Sequence, residues 1–228
     1  MKTLVVDIGG THVKLKTDGA EHRQFDSGSQ MQPADFVAKL KEATRDWKVE
    51  SISIGFPAPI RGGKIIRNPK HLGQGWVDFD FHKALDQPVR IINDAAMQAL
   101  GSYHGDRMLF LGLGTGLGSA LITEEFILTL ELGHLPYKRG ETIGEALGRQ
   151  GLKRLGKLAW RRAVMDVAPA LMKAFLADSI VIGGGNAKKL KELPPGVRLG
   201  HNLTAFRGGF RLWNIGDAQN LSIDNRQD

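Results

Sequence analysis

Two carboxylates stand where apolar runs give out. Asp7 closes the run Leu4–Val6, and Ile8 then leads into Gly9-Gly10-Thr11. Asp94 follows the run Val89–Ile92, with Asn93 between. A carboxylate at the end of a buried strand is costly unless it meets a cation, a water or a backbone donor. Glycines beside it permit left-handed backbone and close approach, and successive amides can then converge on an anion, most often a phosphate. The pattern of Met1–Lys14 returns about a hundred residues later in Leu109–Leu121, LFLGLGTGLGSAL, with the turn Gly114-Thr115-Gly116. Either turn alone is compatible with a plain hairpin. Together they suggest a duplicated fold gripping a phosphate chain between its halves. Asp94 in such a cleft either caps the following helix or accepts the proton of a hydroxyl whose oxygen attacks phosphorus. The first turn is no P-loop, since no Gly-Lys-Ser/Thr closes it. It is no dinucleotide fingerprint either, since a strand follows it.

Glu131-Leu-Gly-His134 puts a carboxylate and an imidazole on one turn. That pair suits the several hydroxyls of a polyol such as a sugar, the alternative being a structural histidine. The 228 residues contain no cysteine. Disulfides, thiolate zinc sites and cysteine nucleophiles are thereby excluded, and no zinc is expected. Apolar residues make up 42% and charged residues 24%, an ordinary balance for a globular chain. The expectation is a cytoplasmic protein without a signal peptide or membrane segment.

The net charge of +7 favours a polyanionic partner. The excess gathers in Lys153–Arg162 and at Lys188, Lys189 and Lys191. Lys153, Lys157 and Arg161 fall at i, i+4 and i+8, so one helix would carry them on one face. That face is either simply solvated or a cationic track. No DNA is expected, because aromatic platforms and a helix-turn-helix pattern are lacking.

These residues need a scaffold. Apolar patterning predicts strands over 3–8, 12–17 and 21–26, a helix from Pro33 to Trp47, a strand over Ser51–Phe56 and a hairpin at Gly62-Gly63. A short helix over Phe79–Leu85, a strand over Val89–Ile92 and a helix over Ala95–Tyr103 follow. The theme then repeats with strands near 108–113, 117–123 and 126–132. Helices over 142–156 and 158–177 come next, with a strand over Ser179–Ile182. Gly183-Gly184-Gly185 opens a lysine-rich helix to about Leu193, and a last helix spans Asn202–Trp213, weakened by Gly208-Gly209. The architecture implied is α/β with two lobes and a central cleft, dividing into 1–106 and 107–228.

Asp7-Ile-Gly-Gly-Thr11, Asn93-Asp94, Gly112–Gly118, Glu131-x-Gly-His134 and Ile182-Gly-Gly-Gly185 occur in an order that resembles ROK-family sugar kinases. The resemblance covers about residues 3–193. Lys14, Leu155-Gly156-Lys157 and Trp160-Arg161 look most like the polyphosphate glucokinase branch. It implies an actin/hexokinase-like (ribonuclease H-like) duplicated fold and phosphoryl transfer to the 6-hydroxyl of glucose or a related hexose. Asp94 would be the general base, and Asn68, Asn93, Asp94, Glu131 and His134 would bind the sugar, with Glu145 a further candidate. Gly9, Gly10, Thr11, Lys14, Gly114, Thr115 and Gly116 would hold the phosphates of ATP or polyphosphate. Gly183, Gly184 and Gly185 would face the donor's far end, and Asp7 would act through Mg²⁺ and water. The cysteine-rich zinc motif of many relatives is missing, which leaves His134 to the sugar. A catalytically silent sugar- or polyphosphate-binding protein is the other reading. A sugar-sensing regulator is disfavoured, because its DNA-binding domain would precede the first turn. A homodimer is an open assembly.

Overall fold

The computed structural model describes residues 2–19, 21–201 and 203–214. Asn202, at the start of the expected last helix, and residues 215–228 of the expected second lobe lie outside the described residues. The first half builds β1 (Thr3–Ile8), β2 (His12–Thr17), β3 (Arg23–Asp26), β4 (Ser51–Phe56) and β7 (Val89–Asn93) into a sheet ordered β3-β2-β1-β4-β7. The second builds β8 (Met108–Leu113), β9 (Leu117–Ile122), β10 (Ile127–Leu130), β11 (Ser179–Gly183) and β12 (Val197–Leu199) into β10-β9-β8-β11-β12. In both sheets the first three strands pair antiparallel and the last three parallel. The repeat seen in the glycine turns is thus a repeat of the whole sheet. A small hairpin, β5 (Ile60–Arg61) with β6 (Lys64–Ile65), stands apart.

β1 and β4 are central and almost wholly buried, which is why they read as unbroken apolar runs. The helices α1 (Pro33–Ala43) and α2 (Phe81–Leu85) belong to the first half. Phe36, Phe56, Trp76 and Phe81 form a cluster beside its sheet, with ring centroids 5.1–6.4 Å apart. In the second half, α4 (Ile143–Leu147) and α5 (Arg149–Ala174) bring Leu147, Trp160, Val164 and Val167 against β8 and β11.

Helix α3 (Asp94–Ser102) joins the halves. Ala95, Ala96 and Ala99 pack against Phe110, Ala120 and Val181 of the second sheet. On its other side lies α6 (Thr204–Arg211), which returns from the second half to pack on β1 and β4. Gly208 makes that approach possible: a side chain there would strike the Met97 carbonyl, and one at Gly101 the Thr204 carbonyl. The glycines that lower the helix propensity of this segment are therefore what seat it.

Three expectations need correction. α1 stops at Ala43, where Thr44 Oγ1 donates to the Leu40 carbonyl and Trp47 turns back beneath Arg23. The lysine-rich helix after Gly185 is a single 3₁₀ turn over Ala187–Lys189, and β12 follows it. Finally, α5 is interrupted at Gly156, with φ 72° and ψ 164°. Lys153 therefore shares no continuous helical face with Lys157 and Arg161.

Candidate functional site

Asn93 and Asp94 divide the work at the end of β7. Asn93 is the helix cap: its Oδ1 accepts from Ala95 N at 3.0 Å and Ala96 N at 3.3 Å, while its Nδ2 donates to the Ala58 carbonyl at 3.3 Å. Its acceptor oxygen is therefore occupied within the protein. Asp94, relieved of capping, is the first residue of α3 and accepts from Ala95 N at 2.8 Å. Burial, and then the like charges of Asp7 and Glu131, push its carboxyl up to about 7. An acid with that value is half ionised near neutrality, the condition in which a general base works best.

Asp7 lies across from Lys14 in the β1–β2 register and beside Gly55 of β4. Burial raises its pKa and the charge of Lys14 partly opposes this. The turn beyond it is closed by Gly9 N donating to His12 O at 3.0 Å, and Ser27 Oγ donates to Gly9 O at 2.6 Å. The Gly9 amide thus serves the turn. His71 stands against Gly10: a side chain at Gly10 would lie 3.0 Å from its Cβ. This exposed imidazole arrives from the loop between β6 and α2, some sixty residues on, and sequence spacing gave no sign of it.

The second turn is built the same way, Gly114 N donating to Gly116 O at 3.1 Å. Asn186 ties it to the third glycine turn, its N donating to Leu113 O at 3.0 Å and its Nδ2 to Gly114 O at 3.0 Å. Gly184 lies so close that a side chain would sit 2.5 Å from the Leu113 carbonyl, and its φ of +84° also demands glycine. Gly183 pairs with Gly112 in the parallel register, and Gly185 has open space around it. Arg149 N donates to Thr115 O at 3.1 Å, setting the start of α5 on the same turn.

Glu131 follows β10, and the backbone on either side of it is pinned by one hydroxyl. Ser119 Oγ donates to Leu130 O at 2.8 Å and accepts from Leu132 N at 3.2 Å. The Glu131 and His134 side chains stand exposed, with Oε2 and Nδ1 3.7 Å apart. That is an ion-pair distance, too long for a hydrogen bond, so both keep capacity for a ligand. Gly133 touches Gly144, which brings α4 beside this turn. Glu145, however, completes a capping box: its Oε2 accepts from Thr142 N at 2.8 Å and Thr142 Oγ1 at 2.9 Å. Those bonds hold its pKa low. Asn68 Oδ1 accepts from Trp76 N at 2.9 Å, which orders the loop that also carries His71.

The basic residues split into separate uses. Arg161 Nε donates to Lys189 O at 2.6 Å and Arg154 pairs with Glu141 at 2.7 Å, whereas Lys157 and Arg162 are exposed. Among the described residues, no group of three or more His, Cys, Asp or Glu is disposed to hold a metal. What the site offers a cation is the Asp7 carboxyl near the end of β1. That matches Mg²⁺, which takes one or two carboxylates and completes its shell with phosphate oxygens and water. No helix among the described residues is long and apolar enough to cross a membrane.

Two halves of identical strand order define an actin/hexokinase-like α/β fold. Residues 3–145 match the ROK family, and the chain belongs to it. It is 29% identical over 168 residues to an N-acetylmannosamine kinase from Escherichia fergusonii, an alignment covering 65% of this chain and 57% of that kinase. The match thus spans little more than half of that relative. The structure resembles an inorganic polyphosphate/ATP-glucomannokinase from Arthrobacter sp. strain KM, with a TM-score of 0.75 at 20% identity over 91% of this chain and 96% of that one. It also resembles a ROK family transcriptional regulator homologous to the E. coli MLC protein, with a TM-score of 0.74 at 16% identity over 96% of this chain and 78% of the regulator. Kinases and a regulator share the fold, so function must be argued from the site.

Proposed function

We propose that the chain is a sugar kinase that transfers a phosphoryl group from polyphosphate or ATP to the 6-hydroxyl of glucose or a related hexose. The observation that carries this is Asp94: a carboxyl at about 7, free of capping duty, at the head of the helix that joins the two halves. The acceptor hydroxyl binds beside Asp94, which takes its proton as the oxygen attacks the terminal phosphorus of the donor. Glu131 and His134 hold hydroxyls at the other side of the ring. The glycine turns orient the donor, and Lys14 and His71 flank the first of them. Mg²⁺, held by Asp7 directly or through water, neutralises phosphate charge when bound. Catalysis rests on positioning and on amide and cationic stabilisation, with no covalent intermediate. Closure of the lobes, dividing near residues 106 and 107, excludes water and limits hydrolysis of the donor.

The kinase relatives support the reaction class, and the N-acetylmannosamine kinase puts that sugar on the acceptor panel. The test is a coupled sugar-6-phosphate assay with glucose, mannose and N-acetylmannosamine, each against ATP and long polyphosphate. Binding of sugar without turnover for any donor would favour a silent binding protein instead.

A further inference from the structure

The end of α3 remote from Asp94 gathers positive charge. At 1.5 Å per residue the helix sets that end about 13 Å from its first residue. Arg211 of α6 donates from one nitrogen to the Leu100 and Tyr103 carbonyls, both at 2.9 Å. Arg198 of β12, half-buried, donates to the Ser102 carbonyl. Arg207 stands one turn before Arg211 on α6 and is exposed. Its side chain makes no hydrogen bond or ion pair with any of the described residues. His104 follows the helix directly, and its exposed imidazole feels the charges of all three guanidiniums.

Part of this arrangement is helix capping. The last carbonyls of α3 amount to roughly half a negative charge, whereas three guanidiniums carry three full positive ones. Capping therefore leaves most of the charge unmatched. Among the described residues no carboxylate pairs with Arg198, Arg207 or Arg211. The nearby acids Glu124 and Asp106 act on Tyr103, whose phenol is raised by burial first and then by them. His104 is instead lowered, by burial and then by Arg198, Arg207 and Arg211. Like charges drawn this close repel one another unless an anion lies among them.

We propose that Arg198, Arg207, Arg211 and His104 form a binding site for a phosphoryl dianion, separate from the glycine turns. Each capping arginine spends only part of its five-donor fork on carbonyls, which leaves donors for a ligand. A phosphoryl group offers three oxygens to share among three guanidiniums, whereas a carboxylate is filled by one fork. The site does not depend on the kinase reading. β12 and α6 follow residue 107 and α3 precedes it, so a bound dianion ties the second half to the helix that carries Asp94.

The experiment follows the imidazole resonances of the full chain by NMR, with inorganic phosphate or glucose 6-phosphate added at constant ionic strength. His104→Gln assigns the His104 signal by its loss. Each anion should move that signal saturably and raise its titration midpoint by about one pH unit, because an adjacent negative charge favours the imidazolium. Arg207→Gln leaves the bonds to the α3 carbonyls in place and should weaken binding at least fivefold. Arg207→Lys, which keeps the charge and loses the fork, should fall between. Tighter binding of glucose 6-phosphate would identify the ligand as a phosphate monoester, and tighter binding of phosphate as the free ion; either upholds the site. The same response to sodium chloride at equal ionic strength would reduce the effect to screening and overturn it. Shifts confined to His71 and His134, with His104 unmoved, would place the anion in the cleft and overturn it as well. So would unchanged affinity in Arg207→Gln.

Discussion

Replacing Asp94 by asparagine separates its two burdens, because the amide keeps the shape and the oxygen that accepts from Ala95 N but carries no charge. In the folded protein its carboxyl is moved from 3.8 to about 7, chiefly by burial and then by Asp7 and Glu131. Below about pH 4 the folded and unfolded chains both hold the proton, and Asp94 has no effect on the balance. Between about pH 4 and 7 the folded chain binds more protons than the unfolded one, so stability falls as pH rises. Above that window the charged group is retained at its full cost. At about 1.4 kcal/mol per pKa unit, a shift of roughly three units gives a ceiling of about 4 kcal/mol, and partial exposure to the cleft brings the expectation to about 2–4 kcal/mol. Asp94→Asn should therefore be as stable as wild type at pH 4 and more stable by that amount at pH 8, in urea titrations at each pH. Its turnover should fall by about 10²–10⁴-fold, since the amide cannot take the proton. In wild type, kcat/KM should rise with pH through about 7, as the base ionises, and then level off. A folded Asp94→Asn enzyme with near wild-type turnover refutes the assignment as base. A stability difference that ignores pH refutes the account of its burial.

Glu131→Gln should weaken sugar binding by about 1.5–3 kcal/mol through loss of a charged hydrogen-bond partner, read as a rise in sugar KM with donor KM unchanged; stoichiometric zinc in the purified protein would contradict the role given to His134. Because Arg161 is tied to Lys189, the donor track is better probed by Lys157→Glu with Arg162→Glu, both exposed in wild type. The pair should raise KM for long polyphosphate far more than for ATP, and the wild-type polyphosphate KM should climb with salt as screening over about 8–10 Å sets in; equal effects on both donors would leave ATP as the natural donor. His71→Ala should raise donor KM several-fold while sparing sugar KM, and an unchanged donor KM would show that the imidazole only packs on Gly10.

What the sequence displayed was whatever depends on neighbours along the chain. Buried strands appear as apolar runs, and β1, β4 and β8 fall where those runs do, because central parallel strands are covered on both faces. The turns announce themselves through glycine. Hidden were contacts made between distant segments. Ser119 holds the backbone around Glu131, Asn186 bridges two turns, and His71 meets Gly10, yet none stands in a pattern that spacing reveals. Local cues also misled where packing took over. Asp94 looked able to cap α3, but the cap is Asn93, whose side chain also reaches the Ala58 carbonyl. Glu145 looked like a further sugar ligand, but a Thr-x-x-Glu spacing is also a capping box, in which Glu145 Oε2 accepts from Thr142 N and Oγ1 and Thr142 Oγ1 accepts from Glu145 N. Lys153, Lys157 and Arg161 have helical spacing, but Gly156 adopts a left-handed φ that breaks the register.

The duplication also explains why one half carries the charge. β1 and β8 occupy the same place in their sheets, and the residue before the last is Asp7 in one and Gly112 in the other. Their parallel neighbours at that level are Gly55 and Gly183. Two facing carboxylates would repel a phosphate chain from both sides. With glycine at the second position, one half presents a carboxylate suited to a cation and the other presents backbone alone. Gly55 has its own reason to lack a side chain, since one there would strike the Met97 side chain and lie 3.6 Å from Asp94 Cα. The glycine that gives α3 room beside β4 thus places Asp94 next to the strand pair that holds Asp7. The two carboxyl groups come together through the packing of a helix on a sheet, which is why they lie 87 residues apart in sequence and Asp94 still senses the charge of Asp7.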